Sequence, residues 1–232
     1  MIQVSSDYIS NATSPARQAR MSVNVGGHTY GNSVIERLEY SHAIQDGGFS
    51  LGGAYSARLH VTLFANGASD IEIGDEVNAY ASFDGSGDNC TLGIFYVTNV
   101  SQYRNRLKIT AYDKIGLLGM TYIYKPASWG GYPGTGNVVL GNILEDILRE
   151  HNLTKHPNYM MWAAYANTCY CVLKPDYVPK CYSVREMLGF LAGTSGGICT
   201  VSRSGYLSLL MPGSPVYLSD TNFHVERDNY YS

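Results

Sequence analysis

Apolar and polar side chains alternate most clearly in the middle of the first half of the chain. Leu59, Val61 and Leu63 are apolar and every second residue between them is polar, which is typical of a strand with one buried face. The other segments predicted to form strands contain Val34, Leu38 and Tyr40; Ile71, Ile73 and Val77; Leu92 to Val100; and Leu107, Ile109 and Ala111. Because turn-forming residues separate these segments, we expect a closed or sandwich-like antiparallel unit.

The apolar spacing changes in the second half of the chain. Asn137 is positioned to cap a helix, and Ser183 with Glu186 forms the pattern of a capping box for a second helix that Gly193 can end. The apolar stripes of the two helices are Leu140, Ile143, Leu144, Ile147 and Leu148, and Val184, Met187, Leu188 and Leu191. A hairpin broken at Ser204-Gly205 is predicted between Ile198 and Leu210.

The sequence therefore predicts a mainly β (β+α) protein with two modules. We place an N-terminal β-barrel-like module at 1–122 and an α+β module with two helices at 123–212, with the boundary near the Pro- and Gly-rich loop 125–136. A C-terminal segment, 213–232, follows the second module.

Composition narrows the functional class. Charged residues make up 15% of the chain against about 25% in an average soluble domain, while 20 residues are tyrosine. Thin charge with abundant Tyr favours a surface that contacts other proteins, although Tyr also populates strands. A net charge of −3 without a Lys/Arg run argues against nucleic-acid binding, and no window has the length of a membrane span. No signal peptide is recognisable at the N-terminus, so we expect synthesis and assembly in a bacterial cytoplasm, without membrane insertion.

The five cysteines are Cys90, Cys169, Cys171, Cys181 and Cys199. An odd count without a secretion signal favours reduced thiols. The last four offer enough thiolates for a structural Zn²⁺, but their spacing lacks two close pairs, and small buried hydrophobes are the commoner role of free Cys. Both alternatives stay open at this point.

The segment around Ser195 (GTSGG) resembles the nucleophile motif of chymotrypsin-like proteases. Thr194 replaces the expected acid, and the segment directly follows a capped helix, so we interpret it as a Gly-rich helix end. Asp84, Ser86 and Asp88 alternate as in a calcium loop, but Phe95 stands where the bidentate Glu belongs. The sequence thus predicts no enzyme activity and assigns no catalytic, cofactor or metal-binding residue.

A family resemblance emerges from Leu59 onward. The strings Gly93 to Val97 (GIFYV), Ile109 to Leu118 (ITAYDKIGLL), Ser183 to Ala192 (SVREMLGFLA) and Gly205 to Leu207 occur in this order. They resemble the tail-hub, or baseplate hub, structural proteins of tailed bacteriophages and prophages, over roughly residues 55–210. The resemblance implies a virion tail protein with two β-barrel-like modules, which forms a homotrimeric ring between the tail-tube protein and a tip or spike protein. It also implies that chain beyond Met211 returns to the first module, and that this chain is a short hub or a piece of a longer one.

A second function stays open beside the hub. A carbohydrate- or receptor-binding β-module of a phage tail would need an aromatic platform. The residues that can supply one are Trp129, Trp162, Tyr122, Tyr124, Tyr132, Tyr159 and Tyr165. Packing in loops and interfaces is the interpretation that we favour for these rings.

Overall fold

We describe the fold from a computed structural model. The structure describes residues 6–13, 19–42, 51–65, 70–83, 89–119, 121–122, 137–155, 170–172 and 182–210. Strands dominate these ranges, so the prediction of a mainly β protein with few helices is confirmed.

Seven strands of the first half form one antiparallel sheet in the order β2-β1-β5-β6-β7-β4-β3. Their bounds are β1 Ala19–Val25, β2 His28–Gly31, β3 Ile35–His42, β4 Ala57–Phe64, β5 Glu76–Phe83, β6 Cys90–Tyr103 and β7 Arg106–Tyr112. A short helix, α1 (Ser6–Thr13), precedes the sheet. The predicted alternation is confirmed in β4, where Leu59, Val61 and Leu63 are buried.

The sheet curls around a single apolar core. The ring of Tyr40 on β3 meets the ring of Phe95 on β6 edge-on, with 6.1 Å between centroids, although two strands separate β3 from β6 in the sheet. Cα atoms of β1 and β3 approach within 8 Å of each other. Within the described residues no ladder of hydrogen bonds joins β3 to β2, so this sheet is not a closed barrel.

Two strand predictions need correction. Ile71 and Ile73 do not belong to a strand, because β5 begins only at Glu76. The backbone turns here instead: Asp75 N–H donates to Glu72 O, and the Asp75 carboxylate accepts from Glu72 N–H. Strand β6 runs on past Val100 to Tyr103, since its polar end still pairs with β7 in a hairpin.

The chain that follows β7 contains a separate apolar core, which begins with Ile115 and Leu118. Its helices are α2 (Lys114–Leu117), α3 (Leu140–Glu150) and α4 (Val184–Thr194), and its strands are β8 Thr121–Tyr122, β9 Asn137–Val139, β10 Tyr170–Val172, β11 Tyr182–Ser183, β12 Ile198–Val201 and β13 Leu207–Leu210. Ile143, Leu144, Ile147 and Leu148 of α3 are buried as predicted. Asn137 lies in β9 rather than at the cap of α3, because the chain pairs with β10 before it turns into the helix.

Helix α4, the second of the two helices predicted from the sequence, follows its sequence signals closely. Both hydrogen bonds of the predicted capping box between Ser183 and Glu186 are present. The helix ends one residue later than predicted, at Thr194 rather than Gly193, and Ser195 is its C-cap. The predicted hairpin of β12 and β13 is confirmed.

Residues 51–56, the described part of the connection between β3 and β4, contact the second core, and we call them the linker. Ala54 forms a parallel bridge with Cys199 of β12, and Lys155 forms one with Leu207 of β13. A small mixed sheet results, with chain from the first half at one edge. The described residues of the second half form paired strands and no closed barrel, and the segment 213–232 lies outside the described residues.

Candidate functional site

A buried carboxylate lies where the chain passes from the large sheet to the second core. Asp113 follows β7 and caps α2, with Oδ1 accepting from Gly116 N–H at 2.9 Å. Its Oδ2 accepts from Ala57 N–H, at the start of β4, at 2.7 Å. Burial raises the pKa of Asp113 to about 6, although the backbone hydrogen bonds and the nearby Arg185 act in the opposite direction.

Arg185 connects the first turn of α4 to the linker. Its Nε donates to Ala54 O at 2.8 Å, and its backbone N–H donates to Leu118 O at 3.0 Å. On the other side of the linker, Tyr55 N–H donates to Cys199 O and Cys199 N–H donates to Gly53 O, both at 2.9 Å. The linker is thus held by backbone and side-chain hydrogen bonds from two elements.

A third buried contact crosses the same region. His42, the last residue of β3, shares a hydrogen bond of 3.0 Å with the hydroxyl of Thr200 on β12. Both residues are buried. In the turn of the β12–β13 hairpin, Arg203 donates to Thr91 O of β6 at 3.2 Å. The two cores are therefore attached at several separate points.

Glycine allows the close approach of α4 to the linker. A Cβ atom at Gly189 would lie 2.5 Å from Gly52 O, and one at Gly193 would lie 2.8 Å from Gly52 Cα. Gly52 itself has a φ of +80°, a conformation that residues with a Cβ rarely adopt. We call the contacts of Asp113, Arg185, Cys199, the His42–Thr200 pair and these glycines the junction.

The outer face of the large sheet carries exposed aromatic and basic residues. Phe64 of β4 pairs with Arg106 of β7, which pairs with Tyr103 of β6, so the three lie in a row on the outer face. Tyr103 is 63% exposed and Phe64 is 39% exposed. Arg106 donates from Nε and Nη2 to the two carboxylate oxygens of Glu36, at 2.6 and 2.5 Å.

The turn after Tyr103 adds a second arginine to this row. The guanidinium of Arg104 lies over the Tyr103 ring, 5.2 Å from its centroid. Arg104 has a φ of 53°, which costs a residue with a Cβ about 1 kcal/mol or more. We call Phe64, Tyr103, Arg104, Arg106 and Lys108 the hairpin surface.

An acidic segment lies on the other side of β6. Residues 70–76 (DIEIGDE) contain four carboxylates and no basic residue. Gly74 N–H donates to Val97 O at 2.8 Å, and Val97 N–H donates to Asp75 O at 2.9 Å, which fixes the segment against β6. Ile73 projects from it and is 72% exposed. We call residues 70–76 the acidic turn.

Ser195 occupies the helix end that the sequence predicted. It is the C-cap of α4, it is buried, and its hydroxyl donates to Leu191 O at 3.5 Å. The interpretation of GTSGG as a Gly-rich helix end leading into a hairpin is therefore confirmed.

Two of the five cysteines are described in full. Cys199 lies buried in β12, where desolvation raises the pKa of its thiol and the nearby Asp113 raises it further. Cys90 begins β6 and is half-buried, with Arg203 Nη1 at 3.2 Å from its Sγ. Cys171 lies in β10, while Cys169 and Cys181 lie outside the described residues. Across the described ranges, no three His, Cys, Asp or Glu side chains are placed to hold a metal ion together.

Other predicted residues fall outside the described residues. Tyr122 lies in β8, whereas the remaining members of the proposed aromatic platform and the loop Asp84, Ser86 and Asp88 lie outside. In the part of the chain that the structure describes, no helix has both the length and the apolar character needed to span a membrane.

The curled sheet, the junction and the exposed outer face belong to a mainly β fold. No family model and no curated protein matches the sequence. The chain is similar in structure to the prophage MuSo2 43 kDa tail protein from Shewanella oneidensis, with a TM-score of 0.50 and 15% identity over 83% of this chain and 53% of that one. It is also similar to a tail protein from Neisseria meningitidis MC58, with a TM-score of 0.47 and 13% identity over 85% of this chain and 52% of that one.

This chain thus spans about half the length of the tail proteins that it matches. The resemblance to phage and prophage tail proteins, which the sequence motifs indicated, is confirmed by the structural similarity to the Shewanella protein: the chain has the fold of a prophage tail protein.

Proposed function

We propose that this chain is a structural protein of a phage or prophage tail, and that it forms the trimeric hub that joins the tail tube to the tip or spike. The fold that it shares with the Shewanella prophage tail protein, over 83% of its length, is the observation that carries this proposal. Its role is to present surfaces for assembly rather than to catalyse a reaction.

The junction supports such a role. A ring subunit has to transmit load between its two ends, and a chain with two cores does so best when the cores cannot hinge. The linker is held here by Arg185 and by reciprocal hydrogen bonds with Cys199, and His42 is joined to Thr200.

In the proposed hub the two modules both follow a barrel-like plan, and they are made and assembled in the bacterial cytoplasm.

The composition supports it as well. Only 15% of the residues are charged, and large apolar side chains such as Ile73, Tyr103 and Phe64 are exposed. Exposed apolar side chains next to charged ones are typical of surfaces that a partner covers.

Two measurements test this proposal. We expect a protein of three times the 25.4 kDa chain mass in solution, measured by light scattering on a size-exclusion column. We also expect immunogold labelling with an antibody to this chain to mark one end of purified tail particles. Tails that assemble fully and never contain the chain would rule out the tail role. If the chain is monomeric in solution but the antibody still labels tails, the homotrimer is refuted and the tail role is not.

A further inference from the structure

We propose that the hairpin surface of one copy of this chain binds the acidic turn of a second copy, and that this contact builds the ring. The inference rests on the proposed self-assembly and names the residues that bring it about. The hairpin surface and the acidic turn are both exposed, have opposite charge and carry complementary apolar side chains.

The hairpin surface has an excess of positive charge. Arg106 is neutralised by Glu36, while Arg104 contacts a neutral ring and Lys108 follows on the same face of β7. The acidic turn contributes Asp70, Glu72, Asp75 and Glu76 without a basic residue. Opposite potentials of this kind steer two protein surfaces together and fix their register.

The apolar side chains are complementary too. Ile73 is the most exposed large hydrophobic residue that the structure describes, and it projects from the centre of the acidic turn. Phe64 and Tyr103 flank Arg106 on the hairpin surface, two strands apart, with about 10 Å between their backbones. An aliphatic side chain that packs against these exposed rings, beside the ion-paired Arg106, buries apolar area within a charged rim, which is the usual anatomy of an interface.

One chain cannot satisfy both surfaces by itself. The acidic turn is hydrogen-bonded to β6 at Val97, and Tyr103 lies six residues further along that strand. Six residues of strand correspond to roughly 20 Å, which is more than the ~8 Å over which salt screens charge. A contact between different patches of two copies is heterologous, and it closes into a ring when the rotation between copies allows it.

The turn residue Arg104 gives independent support. Glycine or asparagine is the usual residue at a positive φ in a tight hairpin, and this turn holds an exposed arginine there at a cost to stability. A strained residue that stays at an exposed position is best explained by a use for its side chain. Binding a carboxylate of a neighbouring copy is such a use.

Charge reversal tests the contact. We expect R104E and E72K, each alone, to weaken self-association by roughly ten-fold or more, measured by sedimentation velocity over a concentration series in low salt. The double variant R104E/E72K restores opposite charges across the contact and is expected to associate nearly as the unmodified chain does. Association of the unmodified chain should weaken in 0.5 M salt, because salt shortens the distance over which charges attract each other.

Two further variants serve as controls, one for the change of charge and one for the strained backbone of Arg104. R58E makes the same charge change on the outer face of β4, six residues from Phe64, and should leave association unchanged. R104G removes the side chain and relieves the strained φ, so it should fold at least as stably while it associates more weakly.

Three results would overturn the inference: single variants that associate normally, a double variant weaker than both, or an unmodified chain that stays monomeric. If R104E self-associates normally but no longer enters tail particles, the hairpin surface binds a different tail protein, and the second copy is the wrong partner. In that case the labelled tails would still support the tail role.

Discussion

Arg185 reaches from the first turn of α4 to the carbonyl oxygen of Ala54, 2.8 Å away and 131 residues earlier in the sequence. The same helix places Gly189 one turn further on, directly against the backbone of Gly52. One helix thus holds the linker between the two cores by a hydrogen bond at one point and by close packing at the next.

We expect Arg185→Met to lower the free energy of unfolding by about 1–3 kcal/mol, because it leaves the partly buried Ala54 carbonyl without this donor. Urea unfolding followed by circular dichroism measures the change. Arg37→Met is the control, since the ion pair of Arg37 with Glu39 is exposed on both sides and should contribute about 1 kcal/mol or less. Equal effects of the two variants would show that Arg185 does not hold the linker.

Gly189→Ala should destabilise the protein although alanine is the better helix former. The new Cβ would lie 2.5 Å from Gly52 O, a backbone atom that can move only with the linker, and we expect a cost of about 1–3 kcal/mol. Gly119→Ala, outside the helices, is the control for adding a Cβ without a clash, because an added Cβ there meets nothing within 4 Å. Thermal unfolding of the two variants should separate them clearly, and a stabilised Gly189→Ala protein would contradict the close packing described for the junction.

Asp113→Asn should change how stability depends on pH. The pKa of Asp113 rises from an ordinary 3.8 to about 6, so the folded state holds this proton more tightly than the unfolded chain does. This group therefore lowers the free energy of unfolding as pH rises from about 4 to about 6, by about 3 kcal/mol in total. The asparagine variant lacks this contribution.

The comparison of the two proteins isolates that effect. All other groups titrate in both, so the difference in unfolding free energy should move by about 3 kcal/mol in favour of the variant between pH 4 and pH 7. At low pH the variant should be the less stable protein, since its amide can accept from only one of Ala57 and Gly116. A difference that stays constant from pH 4 to pH 7 would mean that Asp113 titrates normally.

Ser183→Ala should cost about 1 kcal/mol, because the hydroxyl accepts from Glu186 N–H at 3.1 Å and no neighbouring group replaces it. Hydrogen–deuterium exchange of the first turn of α4 should increase along with the loss of stability. Ser204→Ala, in the hairpin turn, serves as the control that changes a serine without touching a helix end. Unchanged exchange in α4 would contradict the role of the capping box.

Local signals explain which parts of this fold the sequence predicts. The strand β4 and the capping box of Ser183 and Glu186 depend on neighbours within a few residues, and both are present as predicted. Ile73 misled the prediction because its spacing from Ile71 and Val77 suits a strand, whereas the Asp75 carboxylate closes a turn there. Periodicity cannot report a side chain that bonds the backbone.

The junction and the hairpin surface were harder to predict, because their contacts join residues that are far apart in the sequence. Asp113 sits directly after an alternating strand and before an apolar run, which marks it as a cap, but its bond to Ala57 joins residues 56 positions apart. Phe64 and Tyr103 become neighbours of Arg106 only through the register of β4, β6 and β7. An arginine and an asparagine in a two-residue turn, Arg104-Asn105, were the available signal, and composition alone could not assign them a use.

Phe64→Thr should separate folding from assembly. Phe64 points outward from β4 and threonine suits a strand equally well, so the free energy of unfolding should change by about 1 kcal/mol or less. Phe95→Leu is the contrasting variant, since Phe95 is fully buried against Tyr40 and its loss leaves a cavity that costs more.

An exposed aromatic that anchors an interface behaves in the opposite way: its removal weakens association, while folding is spared. Sedimentation velocity and urea unfolding on the same two samples measure both quantities. If Phe64→Thr leaves association intact, the aromatic row is not part of the contact between copies. If it instead unfolds the protein, Phe64 belongs to the core.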